Sequence, residues 1–180
     1  KEGGFEISTA LGEVFTSRKV VFATGVKDLI TEIKGFADCW GISVLHCPYC
    51  HGYEVKNEKT AIIANGEMAF DFAKLISNWT KKLSLCTNGK STLTLEQTEI
   101  LKKHGVAIFE EEIASFEHEQ GYIQNIIFKN QEKTAVKAIY ARPPFEQHCN
   151  LPKELGCEIT EQGLLKVDFM QNTNVDGIYA

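Results

Sequence analysis

The segment from Lys59 to Thr87 constrains the fold of this chain more than any other. Lys59-Thr60-Ala61-Ile62-Ile63-Ala64 is an apolar, partly β-branched run of strand length that stops at Asn65-Gly66. From Glu67 to Trp79, the residues Met68, Phe72, Leu75, Ile76 and Trp79 recur at helical spacing, with Glu67 and Asp71 toward the positive end of the helix. Leu83-Ser84-Leu85-Cys86-Thr87 is a second apolar run, closed by the turn signal Asn88-Gly89. Strand, glycine turn, helix and strand in this order make a β-α-β unit, which requires a parallel sheet with a right-handed crossover.

The flanking segments extend this unit. Leu95 to His104 reads as a second helix, with Thr94 as N-cap and Gly105 just past its end, and Val106 to Phe109 returns to the sheet. From Glu111 to Tyr140 the period switches to two, which predicts an antiparallel meander of three strands: Ile113 to His118, Tyr122 to Lys129 and Thr134 to Tyr140. Gln120-Gly121 and Asn130-Gln131 supply the turns, and Arg142-Pro143-Pro144 reads as a connection. Upstream, Phe5-Glu6-Ile7 and Glu13-Val14-Phe15 read as a short antiparallel pair feeding a buried strand, Lys19 to Ala23, that ends at Thr24-Gly25. The chain stops on the apolar run Ile178-Tyr179-Ala180, which suggests a fragment. The expected class is α/β: a Rossmann-like three-layer βαβ domain with an antiparallel β-meander.

Composition narrows the function. A chain of 180 residues with 43% hydrophobic content can bury a substantial core. Its net charge of −5, with both signs interspersed, leaves no basic stripe for nucleic acid. No apolar run approaches the roughly 20 residues that span a bilayer, and no signal-peptide core is present, so a cytoplasmic protein without a membrane partner is expected. Of six cysteines, Cys39, Cys86, Cys149 and Cys157 are scattered without pairing pattern and read as buried or surface thiols.

The other two form His46-Cys47-Pro48-Tyr49-Cys50-His51-Gly52-Tyr53-Glu54. A Cys-x-x-Cys pair can cycle as a redox dithiol, grip a metal or serve structure. Pro48 suits a first helical turn, where a nearby helix N-terminus or positive group favours the reactive thiolate, and His46 and His51 can act on thiol protonation. Zinc needs four ligands placed tetrahedrally, which residues so close in sequence supply poorly, and no second Cys-x-x-Cys exists; no metal is expected. Cys-Pro-Tyr-Cys also occurs in glutaredoxins, but there the motif opens a long helix, and here Gly52 and a strand near Thr60 follow too soon.

Ala64-Asn65-Gly66-Glu67-Met68-Ala69 stands where a dinucleotide fingerprint would, between strand and helix, so Asn65, Gly66 and Glu67 are candidate nucleotide contacts. Its letters match less well than its position, since Ala64 and Ala69 replace two glycines. At the end of the next strand, Thr87, Asn88 and Lys90 are the candidates for distinguishing NADP from NAD, although neither the usual acidic residue nor an arginine is there. Lys90 offers a single point charge and reads equally as a solvated lysine. His104, His118 and His148 are isolated and read as surface or capping residues; Trp40 and Trp79 read as core or interface.

The order Val20-Val21-Phe22-Ala23-Thr24-Gly25, Gly35-Phe36, Cys47-Pro48-Tyr49-Cys50-His51-Gly52-Tyr53-Glu54, a strand-glycine-helix unit and Thr173 to Ala180 resembles the thioredoxin reductase-like flavoproteins over essentially the whole chain. The His-Gly-Tyr-Glu tail is similar to a branch with bacterial pyridine nucleotide-disulfide oxidoreductases and fungal gliotoxin-type dithiol oxidases. The resemblance implies three segments: residues 1–37 and 143–180 as partial FAD-domain segments, and 38–142 as an NAD(P)-binding-type domain carrying the dithiol. It implies FAD with NADP or NAD as cofactors, a thioredoxin-like protein or small disulfide or dithiol as partner, and a homodimer. By the same resemblance Cys50 faces the flavin, Cys47 attacks the partner, His51 is the acid/base where the family usually has an acidic residue, and Thr24 and Gly25 contact the flavin. The N-terminal fingerprint for the adenine end of FAD is not found in this sequence, so tight FAD binding and activity by this chain alone are not expected. The implied reaction is electron transfer from NAD(P)H through FAD to the Cys47/Cys50 disulfide, the alternatives being dithiol oxidation with oxygen or a non-catalytic redox sensor.

Overall fold

The computed structural model describes residues 4–180, which divide into two compact units: Ile30–Pro143, and the segment up to Leu29 together with Pro144–Ala180. In the discontinuous unit, alternation in the first residues gives β1 (Phe5–Ser8) antiparallel to β2 (Val14–Ser17), joined by a turn in which Gly12 takes φ 83°. Two short strands follow, β3 (Val20–Val21) and β4 (Val26–Asp28).

The continuous unit begins with the one-turn helix α1 (Phe36–Cys39) and the two-residue strand β5 (Val44–Leu45), then α2 (Pro48–His51), β6 (Thr60–Ile63) and α3 (Gly66–Ile76). β7 (Leu83–Cys86), α4 (Leu95–Lys103) and β8 (Ala107–Phe109) complete the crossovers. β9 (Ile113–Glu119), β10 (Tyr122–Phe128) and β11 (Lys133–Ala135) form the meander, and β12 (Ala138–Ala141) returns to the first sheet. The expected α/β architecture is present: five parallel strands in the order β5-β12-β6-β7-β8.

Strand alternation assigns each side chain to a layer. Leu45, Ile62, Leu85 and Tyr140 project to the face covered by α3 and α4, against Phe72, Ala73, Ile76 and Leu101. Val44, Ala61, Cys86 and Ile139 project to the other face, against Phe36 of α1 and Phe116, Ile126 and Phe128 of the meander. Each fully buried Leu, Ile or Phe contributes about 1.5–3 kcal/mol of transfer free energy, so these two clusters supply most of the drive for this unit. Ser43 joins the layers. Its buried hydroxyl donates to the Gly121 carbonyl at 2.6 Å and accepts from the Ile123 amide at 3.0 Å.

Two expectations need correction in this unit. The third meander strand does not run from Thr134 to Tyr140; it breaks after Ala135, and residues 138–141 enter the parallel sheet between β5 and β6. All four are buried, the signature of a strand covered on both faces. The helix expected to reach Trp79 stops at Ile76, because Ser77 and Asn78 turn their side chains back on the Lys74 and Leu75 carbonyls at 2.7 and 3.0 Å. The second helix keeps its expected ends: Thr94 and Gln97 form a reciprocal capping box and Gly105 takes φ 76°.

The chain then returns to the discontinuous unit with β13 (Phe145–Gln147), α5 (Leu151–Glu154) and β14 (Ile178–Tyr179). β13 pairs antiparallel with β4, and β14 pairs parallel with β3. The strand expected from Lys19 to Ala23 as buried is only Val20–Val21, and Val21 is 68% exposed. Its one ladder, to β14, leaves that face uncovered among the described residues. Among the described residues no helix is long and apolar enough to cross a membrane.

Candidate active site

The carboxyl ends of parallel strands form the edge at which α/β sheets take ligands. In the continuous unit this edge carries Cys47 after β5, Asn65 and Gly66 after β6, Thr87 and Asn88 after β7, and Arg142 after β12. The candidate residues expected in this unit are thus all on one side of it.

Cys47 is the N-cap of α2, with extended backbone at φ −115° and ψ 116°, and Pro48 occupies the first helical position. Proline is pre-set there, since its φ is helical and the amide it lacks has no intrahelical partner. The Cys50 and His51 amides donate to the Cys47 carbonyl at 3.3 and 3.2 Å, which places the two cysteines on one turn. Gly52 ends α2 against Trp79. A Cβ there would stand 2.3 Å from the Pro48 carbonyl oxygen and 2.6 Å from the indole, so only glycine lets the motif seat on the turn after α3. Cys47 is half-buried, Cys50 exposed, and both are free thiols. His46 and His51 are exposed.

The electrostatics separate the two sulfurs. The Cys47 thiol lies below the usual thiol range, first because the Cys50 thiol donates toward it, then through the Cys50 and Tyr49 amides, with the Arg142 guanidinium adding a smaller pull. The Cys47 sulfur makes no side-chain cap hydrogen bond to α2. The same contact, with the charge on Cys47, holds the Cys50 thiol above its usual range. Cys47 therefore ionises first. Elsewhere burial does the opposite, pushing the Cys86 thiol up to about 12 and raising Cys39, chiefly by burial. Those two are inert core residues, as expected; Cys157 is buried too, and Cys149 is half-buried.

At the strand-end loops, where the sequence places the candidate nucleotide contacts, several polar side chains bond within the chain. The Asn65 side-chain oxygen accepts from the Gly66 amide at 2.9 Å, the Thr92 amide at 2.8 Å and the Thr92 hydroxyl at 3.1 Å. Its side-chain nitrogen donates to the Lys90 carbonyl at 2.9 Å. Gly66 has φ 63°, and a Cβ on it would meet the Thr92 hydroxyl at 2.9 Å. The loop after β7 thus lies against the turn where a pyrophosphate would need open amides. Thr87 points its hydroxyl at the Gly89 and Phe109 carbonyls, 2.6 and 3.2 Å away, and Asn88 accepts from the Ile113 amide at 2.7 Å. Glu67 adds a carboxylate in the first turn of α3, the position a phosphate would occupy electrostatically. Lys90 is exposed.

In the other unit, Thr24 and Gly25 follow β3, and the stretch 176–180 contains β14. The parallel register Val20↔Ile178 and Val21↔Tyr179 brings the ends of both together. Gly25 has φ 69°, with open space where a Cβ would go.

Two residues at the first edge were not singled out by their sequence. Arg142, read as part of a connection, lies over the Phe72 ring at 4.4 Å and acts on Cys47. Tyr140, read as a meander residue, is in register with Leu45 two positions before Cys47. One of only two arginines, directly after an apolar run, was the available signal. The isolated histidines keep structural roles where contacts define them: the His104 ring sits 2.8 Å from the Ile100 carbonyl and His118 lies 3.5 Å from Asp38. Trp40 stacks on Phe36 in the core.

Comparison with known proteins agrees with this architecture. The family described as pyridine nucleotide-disulphide oxidoreductase matches residues 3–180. A protein named thioredoxin reductase aclD from Aspergillus oryzae is 31% identical over 88% of this chain and 54% of its own length. One named thioredoxin reductase sirT from Leptosphaeria maculans is 27% identical over 100% of this chain and 59% of its own. Among solved structures, a putative thioredoxin reductase TrxB from Bacillus anthracis superposes with a TM-score of 0.88 at 26% identity, over 98% of this chain and 59% of that one. The chain spans a little over half the length of these relatives.

Proposed function

Because the chain belongs to the pyridine nucleotide-disulphide oxidoreductase family, we propose that it contributes the dithiol to a thioredoxin reductase-like flavoenzyme, with Cys47 and Cys50 as the redox pair. The observation that carries this reading is the seating of both cysteines on one helical turn after β5, with Cys47 as N-cap, Pro48 at the first helical position and the Cys50 amide donating to the Cys47 carbonyl at 3.3 Å.

With Cys47 as the thiol whose ionisation is favoured, the steps run in this order. The Cys47 thiolate attacks a partner disulfide; a Cys47–partner bond forms and the partner's second sulfur leaves as thiolate. Cys50 then attacks the Cys47 sulfur, closing the Cys47–Cys50 disulfide and releasing the partner's first sulfur. His51, next to Cys50 in sequence, takes the Cys50 proton. The same steps run backward oxidise a partner dithiol. Thr24, Gly25 and the stretch 176–180 would hold FAD, which when bound would supply two-electron redox chemistry to the dithiol. The half-buried Cys47 meets the partner, with Tyr49 and Tyr53, 76% and 69% exposed, offering aromatic surface to a thioredoxin-like protein or small dithiol. The reading includes residues 1–37 and 143–180 as flavin-domain segments around 38–142, a homodimer, and a reducing cytoplasm.

The sequence expectation was reduction of the partner with NAD(P)H as donor. A second direction, oxidation of a partner dithiol with oxygen as final acceptor, is favoured by the engagement of Asn65 with Thr92 and Lys90. The experiment is anaerobic mixing of the full-length flavoenzyme with NADPH, NADH or a small dithiol while flavin absorbance is followed. Bleaching by the dithiol and not by either nucleotide, then peroxide on admitting air, is expected. Rapid bleaching by NADPH or NADH selects the reductase direction, and loss of no turnover in Cys47→Ser or Cys50→Ser refutes the dithiol assignment.

A further inference from the structure

Tyr140 is 1% exposed, and its hydroxyl is a buried side-chain group without a hydrogen-bond partner, the one such case among the described residues. An unpaired hydroxyl in a packed core carries a desolvation cost that a phenylalanine would avoid. Its position makes chemical sense if an acceptor forms beside it during the reaction cycle.

The register identifies that acceptor. Tyr140 pairs with Leu45, and both project to the α3 face. Cys47 retains extended backbone, so it continues the alternation of β5 and returns to the same face two residues later. The ring is fixed below it: Phe72 meets Tyr140 edge-on with centroids 6.0 Å apart, and Arg142 covers the Phe72 ring.

We propose that the Tyr140 hydroxyl is the interior hydrogen-bond donor to the Cys47 thiolate, which makes Tyr140 a positioning residue for the reactive sulfur. The proposal rests on the dithiol reading above. In this assignment the Cys50 thiol and the Tyr140 hydroxyl are the two side-chain donors to the Cys47 thiolate, the first from the exposed side and the second from the interior. Burial, with the charges of Cys47 and Glu54, pushes the Tyr140 hydroxyl up to about 12, so it stays a donor wherever the thiolate exists. Of the two anionic groups that bear on it, Glu54 is exposed and solvated, whereas Cys47 is half-buried. Arg142 and Cys50 are the other charged or titratable groups acting on Cys47.

The test is the pH dependence of iodoacetamide alkylation at Cys47 in the fully reduced 180-residue chain, resolved by peptide mass mapping. Tyr140→Phe should shift the Cys47 profile upward by about one pH unit, the effect of losing one hydrogen bond to a charged group, with alkylation at neutral pH slowed several-fold. Its unfolding midpoint should hold or rise, because only an unpaired hydroxyl is removed. Glu54→Gln should leave the profile in place. Superimposable profiles for Tyr140→Phe and the unmodified chain overturn the proposal, as does a shift seen with Glu54→Gln alone. If Cys47 in the unmodified chain reacts no earlier than Cys149, the dithiol reading itself fails, whatever Tyr140 does.

Discussion

The Asn65 side-chain oxygen accepts from the Thr92 amide at 2.8 Å, tying the turn after β6 to the loop after β7 across 27 residues of sequence. This bond, with those to Gly66 and Lys90, holds the loop against the turn and competes with the entry of a dinucleotide pyrophosphate. The chain should therefore gain no thermal stability from NADH or NADPH at millimolar concentration, because a ligand stabilises only in proportion to its occupancy of the folded state. A saturable rise in unfolding temperature with either nucleotide contradicts this.

Asn65→Ala removes four partners at once. It should cost about 1–3 kcal/mol in urea unfolding, since the Thr92 and Gly66 amides and the Lys90 carbonyl lose their acceptors and donor in a partly buried setting. A change below about 0.5 kcal/mol would mean that the loop does not depend on this side chain.

Cys50→Ala removes the first cause of the lowered Cys47 ionisation. The sign follows directly: a lowered pKa places the alkylation profile of Cys47 below that of an ordinary thiol, and losing the Cys50 donor moves it back up. Arg142→Gln should shift it the same way by less, in keeping with its smaller contribution. Iodoacetamide rates from pH 5 to 10 read both; an unmoved profile in Cys50→Ala argues against the coupling.

Gly52→Ala places a methyl where the Pro48 carbonyl and the Trp79 ring already stand. Overpacking of this kind costs about 1–3 kcal/mol and should displace α2, so stability and Cys47 reactivity fall together. Ser43→Ala strands the Gly121 carbonyl and Ile123 amide in the buried junction of β5 with the meander, costing about 2–3 kcal/mol with no effect on Cys47. Urea unfolding and the alkylation rate separate the two variants.

Much of the parallel unit is legible from local pattern. Thr60–Ile63 is apolar and β-branched, Phe72 and Ile76 keep helical spacing, and Thr94 with Gln97 caps α4 by a rule local to four residues. Pro48 likewise marks the first turn of α2. Non-local partners decide the rest. Val44–Leu45 is a strand only because β12 pairs with it, and Tyr140 leaves the meander for the same reason. Asn65 reads as a candidate phosphate contact until Lys90 and Thr92 are known to lie against it. The Cys-x-x-Cys announces a dithiol in sequence, but the lowered Cys47 depends also on Arg142, 95 positions away.

Disulfide mapping of the chain after equilibration in glutathione buffers tests the central claim most directly. The account predicts a single two-electron couple that closes Cys47 to Cys50, and in Cys50→Ser a glutathione adduct confined to Cys47. A pairing that involves Cys39, Cys86, Cys149 or Cys157, or adducts distributed without preference for Cys47, would contradict it.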